Sequence, residues 1–104
     1  MEDYKIIVSA SFHLDLKNIV YYISHKFNAP FTATELLDEI ERTASSLSIM
    51  PYRFVLVKDS YLKHKEIRKC SIKNYIIFYK IDEKNKKVLL HRILHARQNW
   101  EVEI

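Results

Sequence analysis

There is no glycine anywhere in this 104-residue chain. Glycine takes positive φ at no steric cost, so every tight turn here must be built from residues that carry a Cβ, with Asn the usual substitute. The absence also removes whole classes of chemistry. P-loops, dinucleotide fingerprints and the G-x-S-x-G nucleophile elbow need glycine where the backbone turns sharply or meets a phosphate. Nucleotide-cofactor chemistry is therefore not expected, and no cofactor is assigned.

A chain of this length is expected to form one domain, residues 1–104, with a core of its own. Hydrophobic residues make up 48%, with seven Tyr, five Phe and one Trp, which indicates a globular protein. No run approaches the roughly 18 apolar residues of a membrane span. The opening MEDYKIIV lacks the layout of a signal peptide, and the single Cys70 has no internal disulfide partner. The expected location is the cytoplasm, with no membrane partner. Charge is unevenly spread. Residues 1–51 hold four Lys/Arg against seven Asp/Glu, whereas residues 52–104 hold thirteen against six. A basic C-terminal half points to an anionic partner, either a phosphate backbone or an acidic protein segment, or else to a solvated basic face.

Tyr4–Ser9 reads as a short β-branched strand. Phe12, Leu16, Ile19, Val20, Ile23 and Phe27 recur at helical spacing, with Ser11 a candidate N-cap. Asn28-Ala29-Pro30 breaks that helix and starts a second, whose stripe is Ala33, Leu36, Leu37, Ile40, Ala44 and Leu47. Pro51 ends it near Met50. After a connector over Tyr52–His64, with a short extended piece at Phe54–Val57, three strands are expected at Glu66–Ile72, Tyr75–Ile81 and Lys87–Leu94. Lys73-Asn74 and Asp82–Lys86 are the turns, and in the second Asn85 can take the position of positive φ that glycine usually fills. The fold class is α+β in the order β-α-α-β-β-β, an N-terminal helical hairpin packed on a mostly antiparallel sheet.

Strict alternation in the last strand puts His91, Ile93 and His95 on one face and Leu90, Arg92 and Leu94 on the other. His91 and His95 would then lie about 13 Å apart, too far to share a metal ion. No metal is assigned. Arg68, Lys69, Arg92 and Arg97, with His91 and His95, are the candidates for phosphate contact. A histidine among guanidinium groups has the parts for metal-free RNA cleavage through the 2′-hydroxyl. Trp100 either stacks on a base or packs as core, and Arg92 either contacts phosphate or pairs with a helix carboxylate. Cys70 reads as a small core residue.

The succession of a short strand, two helices ending in Leu47, Met50 and Pro51, and then IRKCSIKNYIIFYKIDEKNKKVLLHRILHARQNW resembles the RelE/ParE toxin superfamily of prokaryotic toxin–antitoxin modules. The resemblance rests on Arg68, on Asn74-Tyr75 leading into Tyr79, and on VLLHRILHARQNW with Arg92, His95 and Arg97, and it spans nearly the whole chain. It implies a toxin held inactive by an antitoxin whose C-terminal segment wraps it. RelE-like members cleave mRNA on the ribosome without metal; ParE-like members poison DNA gyrase. The expectation is ribosome-dependent mRNA cleavage, with Arg68, His95 and Arg97 catalytic and Lys69, His91, Arg92 and Trp100 binding nucleic acid. Gyrase inhibition is the alternative, because no Tyr or His follows Arg97 where the nuclease branch places its terminal acid or base.

Overall fold

A computed structural model describes residues 3–57 and 65–98. Strand β1 (Lys5–Val8) leads into helix α1 (Ala10–Tyr21), which continues as a π-helical turn over Tyr22–Lys26. Helix α2 (Pro30–Ile49) and a 3-10 turn at Pro51–Arg53 follow, then β2 (Arg68–Ile72), β3 (Tyr75–Asp82) and β4 (Lys87–His95). The sheet order is β1-β4-β3-β2. β1 runs parallel to β4 and the other pairs are antiparallel, so the expected α+β architecture is what forms. No helix among the described residues is long and apolar enough to cross a membrane.

Ser9, not Ser11, caps α1. Its hydroxyl oxygen accepts the Phe12 N–H at 2.9 Å, its hydroxyl donates to the His91 carbonyl at 2.7 Å, and its own N–H donates to the Leu90 carbonyl at 3.0 Å. One residue thus ends β1, starts α1 and ties both to β4. Phe12 is buried, and Leu16, Ile19 and Ile23 pack beside it, as the helical spacing predicts. Phe27 departs from that stripe. The π-helical turn carries it out of register, leaving it 65% exposed and edge-on to Tyr22. Helix α2 buries Ala33, Leu36, Ile40 and Leu47.

The turns solve the absence of glycine in an unexpected way. Positive φ falls on Asn28, Glu66, Lys73 and Lys86, not on Asn74 or Asn85. Asn85 instead ties the turn to Asp82: its backbone N–H and its side-chain amide both donate to the Asp82 carboxylate, which holds that carboxyl below its ordinary range.

The face of the sheet under the helices forms the main core with Cys70, Ile77, Tyr79, Val88, Leu90 and Ile93. The buried Tyr79 hydroxyl donates to the Pro51 carbonyl at 2.7 Å, and burial pushes its pKa up to about 12. Burial likewise pushes the Cys70 thiol up to about 11, in keeping with a core residue. On the opposite face Val57, Ile67, Ile76, Phe78 and Leu94 form a second cluster. There the expected extended piece forms: Leu56 bridges to Arg68, Val57 N–H donates to the Ile67 carbonyl, and Lys69 N–H donates to the Val55 carbonyl.

Strict alternation in β4 does not hold. Phe78 pairs with Arg92 while Tyr79 pairs with Leu90, so His91 is the extra residue of a β-bulge. Leu90 and Ile93 consequently share the helix-side core, although strict alternation assigns them to opposite faces.

Candidate functional site

The C-terminal half of β4 extends beyond β1, whose pairing ends at Leu90. Helix α1 lies alongside and leaves a groove of about 490 Å³. It is lined by Asp15, Asn18, Ile19 and Tyr22 of α1, by Tyr75, by Arg92 to His95, and by Gln98. Asp15 closes one end. Its carboxylate accepts from Arg92 Nε at 2.6 Å and Nη2 at 2.8 Å, and from the Ile93 backbone N–H at 3.2 Å. Both side chains of the pair are largely withdrawn from water. Of the two roles open to Arg92, the structure shows the pairing with a helix carboxylate. Asp15 is the one carboxylate of α1 and falls at helical spacing beside Phe12 and Ile19, but residue type alone does not single it out from the four carboxylates of α2.

His95 stands at the other end of the groove, edge-on to Tyr75 at 5.4 Å. Its Nδ1 accepts the Arg97 backbone N–H at 3.1 Å. A backbone N–H only donates, so in the neutral ring the proton sits on Nε2.

Arg68 is elsewhere. Its guanidinium donates to the Phe54 carbonyl at 2.7 Å and lies over the Tyr52 ring at 5.0 Å. It lines a recess shared with Glu66 and Glu83, two carboxylates that compete with any phosphate for it. Arg68 pairs with Tyr79, and His95 pairs with Tyr75, four residues away on β3. Four strand residues span about 13 Å. The structure therefore does not bring Arg68 into one site with His95 and Arg97.

Lys69 is opposite Phe78, on the face turned away from the helices. Burial depresses the His91 pKa first, and the neighbouring Arg92, Lys80 and Lys65 charges depress it further. Trp100 lies outside the described residues.

Three cations or phenols converge on Glu83 at the β3–β4 hairpin: Lys86, Tyr4 (2.6 Å) and Tyr52 (2.7 Å). The Lys86 bond above all, with the two phenols, holds Glu83 down at about 2. This hub joins the hairpin to the start of β1 and to the 3-10 turn, and the sequence carries no motif for it.

Residues 6–100 match the family model described as ParE toxin of type II toxin–antitoxin system, parDE. A comparison with curated protein sequences gives no match. Among solved structures, the chain is similar to one from the toxin–antitoxin complex RelBE2 of Mycobacterium tuberculosis. The TM-score is 0.66 at 17% identity, covering 89% of this chain and 98% of the other. At that identity the likeness concerns the fold.

Proposed function

This chain belongs to the ParE toxin family of type II toxin–antitoxin systems, with an antitoxin as its partner, and from that premise we propose that it arrests growth by binding DNA gyrase. The observation that carries this reading is the dispersal of the nuclease candidates. Metal-free cleavage of RNA needs a proton acceptor, a proton donor and cations around one phosphate. Here Arg68 is engaged by Phe54 and Tyr52 about 13 Å along the strands from the position of His95. Arg92 is engaged by Asp15. A toxin that acts by occupying its target needs no such convergence. The reading places the chain in the cytoplasm with its target, and it requires neither metal nor cofactor.

The mRNA-cleaving alternative is favoured by one observation, the Nε2–H of His95 next to Arg97 at the end of a groove. Expression without the antitoxin separates the two. Gyrase inhibition is expected to produce a DNA-damage response and accumulated gyrase cleavage complexes while translation continues. A rapid translation block with intact DNA, abolished by His95→Ala, would overturn the gyrase reading in favour of cleavage.

A further inference from the structure

The helical hairpin buries one side against the sheet, yet its outer side is not left polar. On α1 the exposed stripe is Leu14, Lys17 and Tyr21; on α2 it is Phe31, Asp38 and Glu41, again at helical spacing. Leu14 is 57% exposed, Tyr21 60% and Phe31 76%. Between the helices runs an open recess of about 280 Å³, lined by His13, Leu16, Lys17, Val20 and Leu37. Helical spacing assigns Val20 and Leu37 to the core, but both stay half-buried and neither packs on the main cluster under the helices. Apolar residues on both sides of a helix mark one that is covered on both. The charges of this surface are sorted by helix. From Leu16 to Thr34 there is no Asp or Glu, while Lys17 and Lys26 are present. Helix α2 then carries Glu35, Asp38, Glu39 and Glu41 against Arg42. Glu39 reaches Lys73, but among the described residues no ion pair takes up Lys17, Asp38 or Glu41.

We propose that a second copy of this chain covers the hairpin, giving a symmetric dimer with the two hairpins packed between the two sheets. Charge selects the symmetry. A twofold axis perpendicular to the helices sets α1 on α1 and α2 on α2, which opposes Lys17 to Lys17 and one acidic helix to the other. A twofold axis along the seam between the helices sets α1 of each copy on α2 of the other. Lys17 lines the recess together with Leu37, so the two lie at one level of the hairpin. In the second arrangement Lys17 therefore meets Asp38 and Glu41 of the second copy, one and four residues beyond Leu37. Every such contact occurs twice, as a self-complementary interface requires. Leu14 and Tyr21, about one turn to either side of Lys17, add apolar area to the same contact. Helices of 12 and 20 residues form a layer about 30 Å long and about 20 Å wide. A footprint of roughly 600 Å² per copy is at the low end of specific interfaces, so the dimer is reversible. The α1/β4 groove stays open, because Asp15, Asn18 and Tyr22 lie on the flank of α1 turned to β4. The dimer does not depend on gyrase being the target.

The test is sedimentation equilibrium of the purified full chain over a series of concentrations. The parent should pass from monomer to dimer as concentration rises. Lys17→Glu turns two symmetry-related contacts from attraction to repulsion and should weaken the dimer roughly 10- to 30-fold. Asp38→Lys/Glu41→Lys should weaken it likewise. Mixed one to one, these two variants should pair with each other about as tightly as the parent pairs with itself, since every facing charge is again opposite in sign. Leu14→Ser/Phe31→Ser should also weaken the dimer by removing apolar contact. All the substituted side chains are exposed, and circular dichroism confirms that each variant is folded. A parent that stays monomeric at every concentration, a Lys17→Glu variant that dimerises like the parent, or charge variants that fail to pair on mixing would each overturn the proposal. Assembly that continues beyond two copies would overturn it as well. Gyrase inhibition is read separately by supercoiling, so either reading can fail without the other.

Discussion

Lys73 offers the sharpest test of how a chain without glycine makes its turns. It is the first of two residues joining β2 to β3, held at φ 53°. The left-handed region costs a residue with a Cβ roughly 1–2 kcal/mol. Glycine escapes that cost but loses about 0.5–1 kcal/mol more conformational freedom on folding. The Lys73 ammonium is 3.9 Å from the Glu39 carboxylate, and both side chains are well exposed. Such a contact contributes close to nothing. Lys73→Gly should therefore stabilise the domain by about 0.5–1 kcal/mol, raising Tm by roughly 2–6 °C. Lys73→Ala keeps the Cβ, and so serves as the control with no gain. Urea unfolding followed by circular dichroism reads the difference as a shift in midpoint at unchanged slope. If the glycine variant is no more stable than the alanine variant, left-handed strain at Lys73 is not what the turn costs.

Two further outcomes follow from charged contacts. Asp15→Ala removes the carboxylate that Arg92 and the Ile93 N–H share and should cost about 2 kcal/mol, less than the roughly 3–5 of a fully buried pair because both side chains keep some water contact. Replacing both partners with leucine should recover most of that loss; an Asp15→Ala variant within about 0.5 kcal/mol of the parent refutes the assignment. Glu83 is held at about 2 against an ordinary 4.5, so its stabilisation is full above pH 4.5 and disappears as pH falls towards 2. Glu83→Gln should then be the less stable protein at neutral pH and converge with the parent in acid; a constant gap across that range speaks against the hub.

The order of elements was legible because periodicity is local: Phe12 to Ile23 and Ala33 to Leu47 repeat at helical spacing, and YIIFYKI reads as a buried strand. What the sequence hid is set by contacts between distant segments. Ser9 and Ser11 are equally good caps by type; the choice falls on Ser9 because the Leu90 and His91 carbonyls lie beside it. The bulge at His91 leaves no mark in KVLLHRILH, yet it reverses the face of every residue after it. The candidate site suffered most. Arg68, His95 and Arg97 suit one reaction by residue type, but their positions on the β3 ladder keep Arg68 away from the other two. Asp15 could be recognised only once α1 was laid against the free end of β4.

The parallel pairing of β1 with β4 has a consequence for synthesis. Lys5 lies beside Lys87, so the first strand made waits for the last before it has a partner. The helical hairpin and the β2–β3 hairpin are built from near neighbours and can form as they emerge, but β4 sits between β3 and β1 and completes the sheet. Closing so long a loop is slow relative to local structure. A nascent chain that stops short of β4 carries neither the complete sheet nor the α1/β4 groove, so the candidate site exists only after β4 has been made.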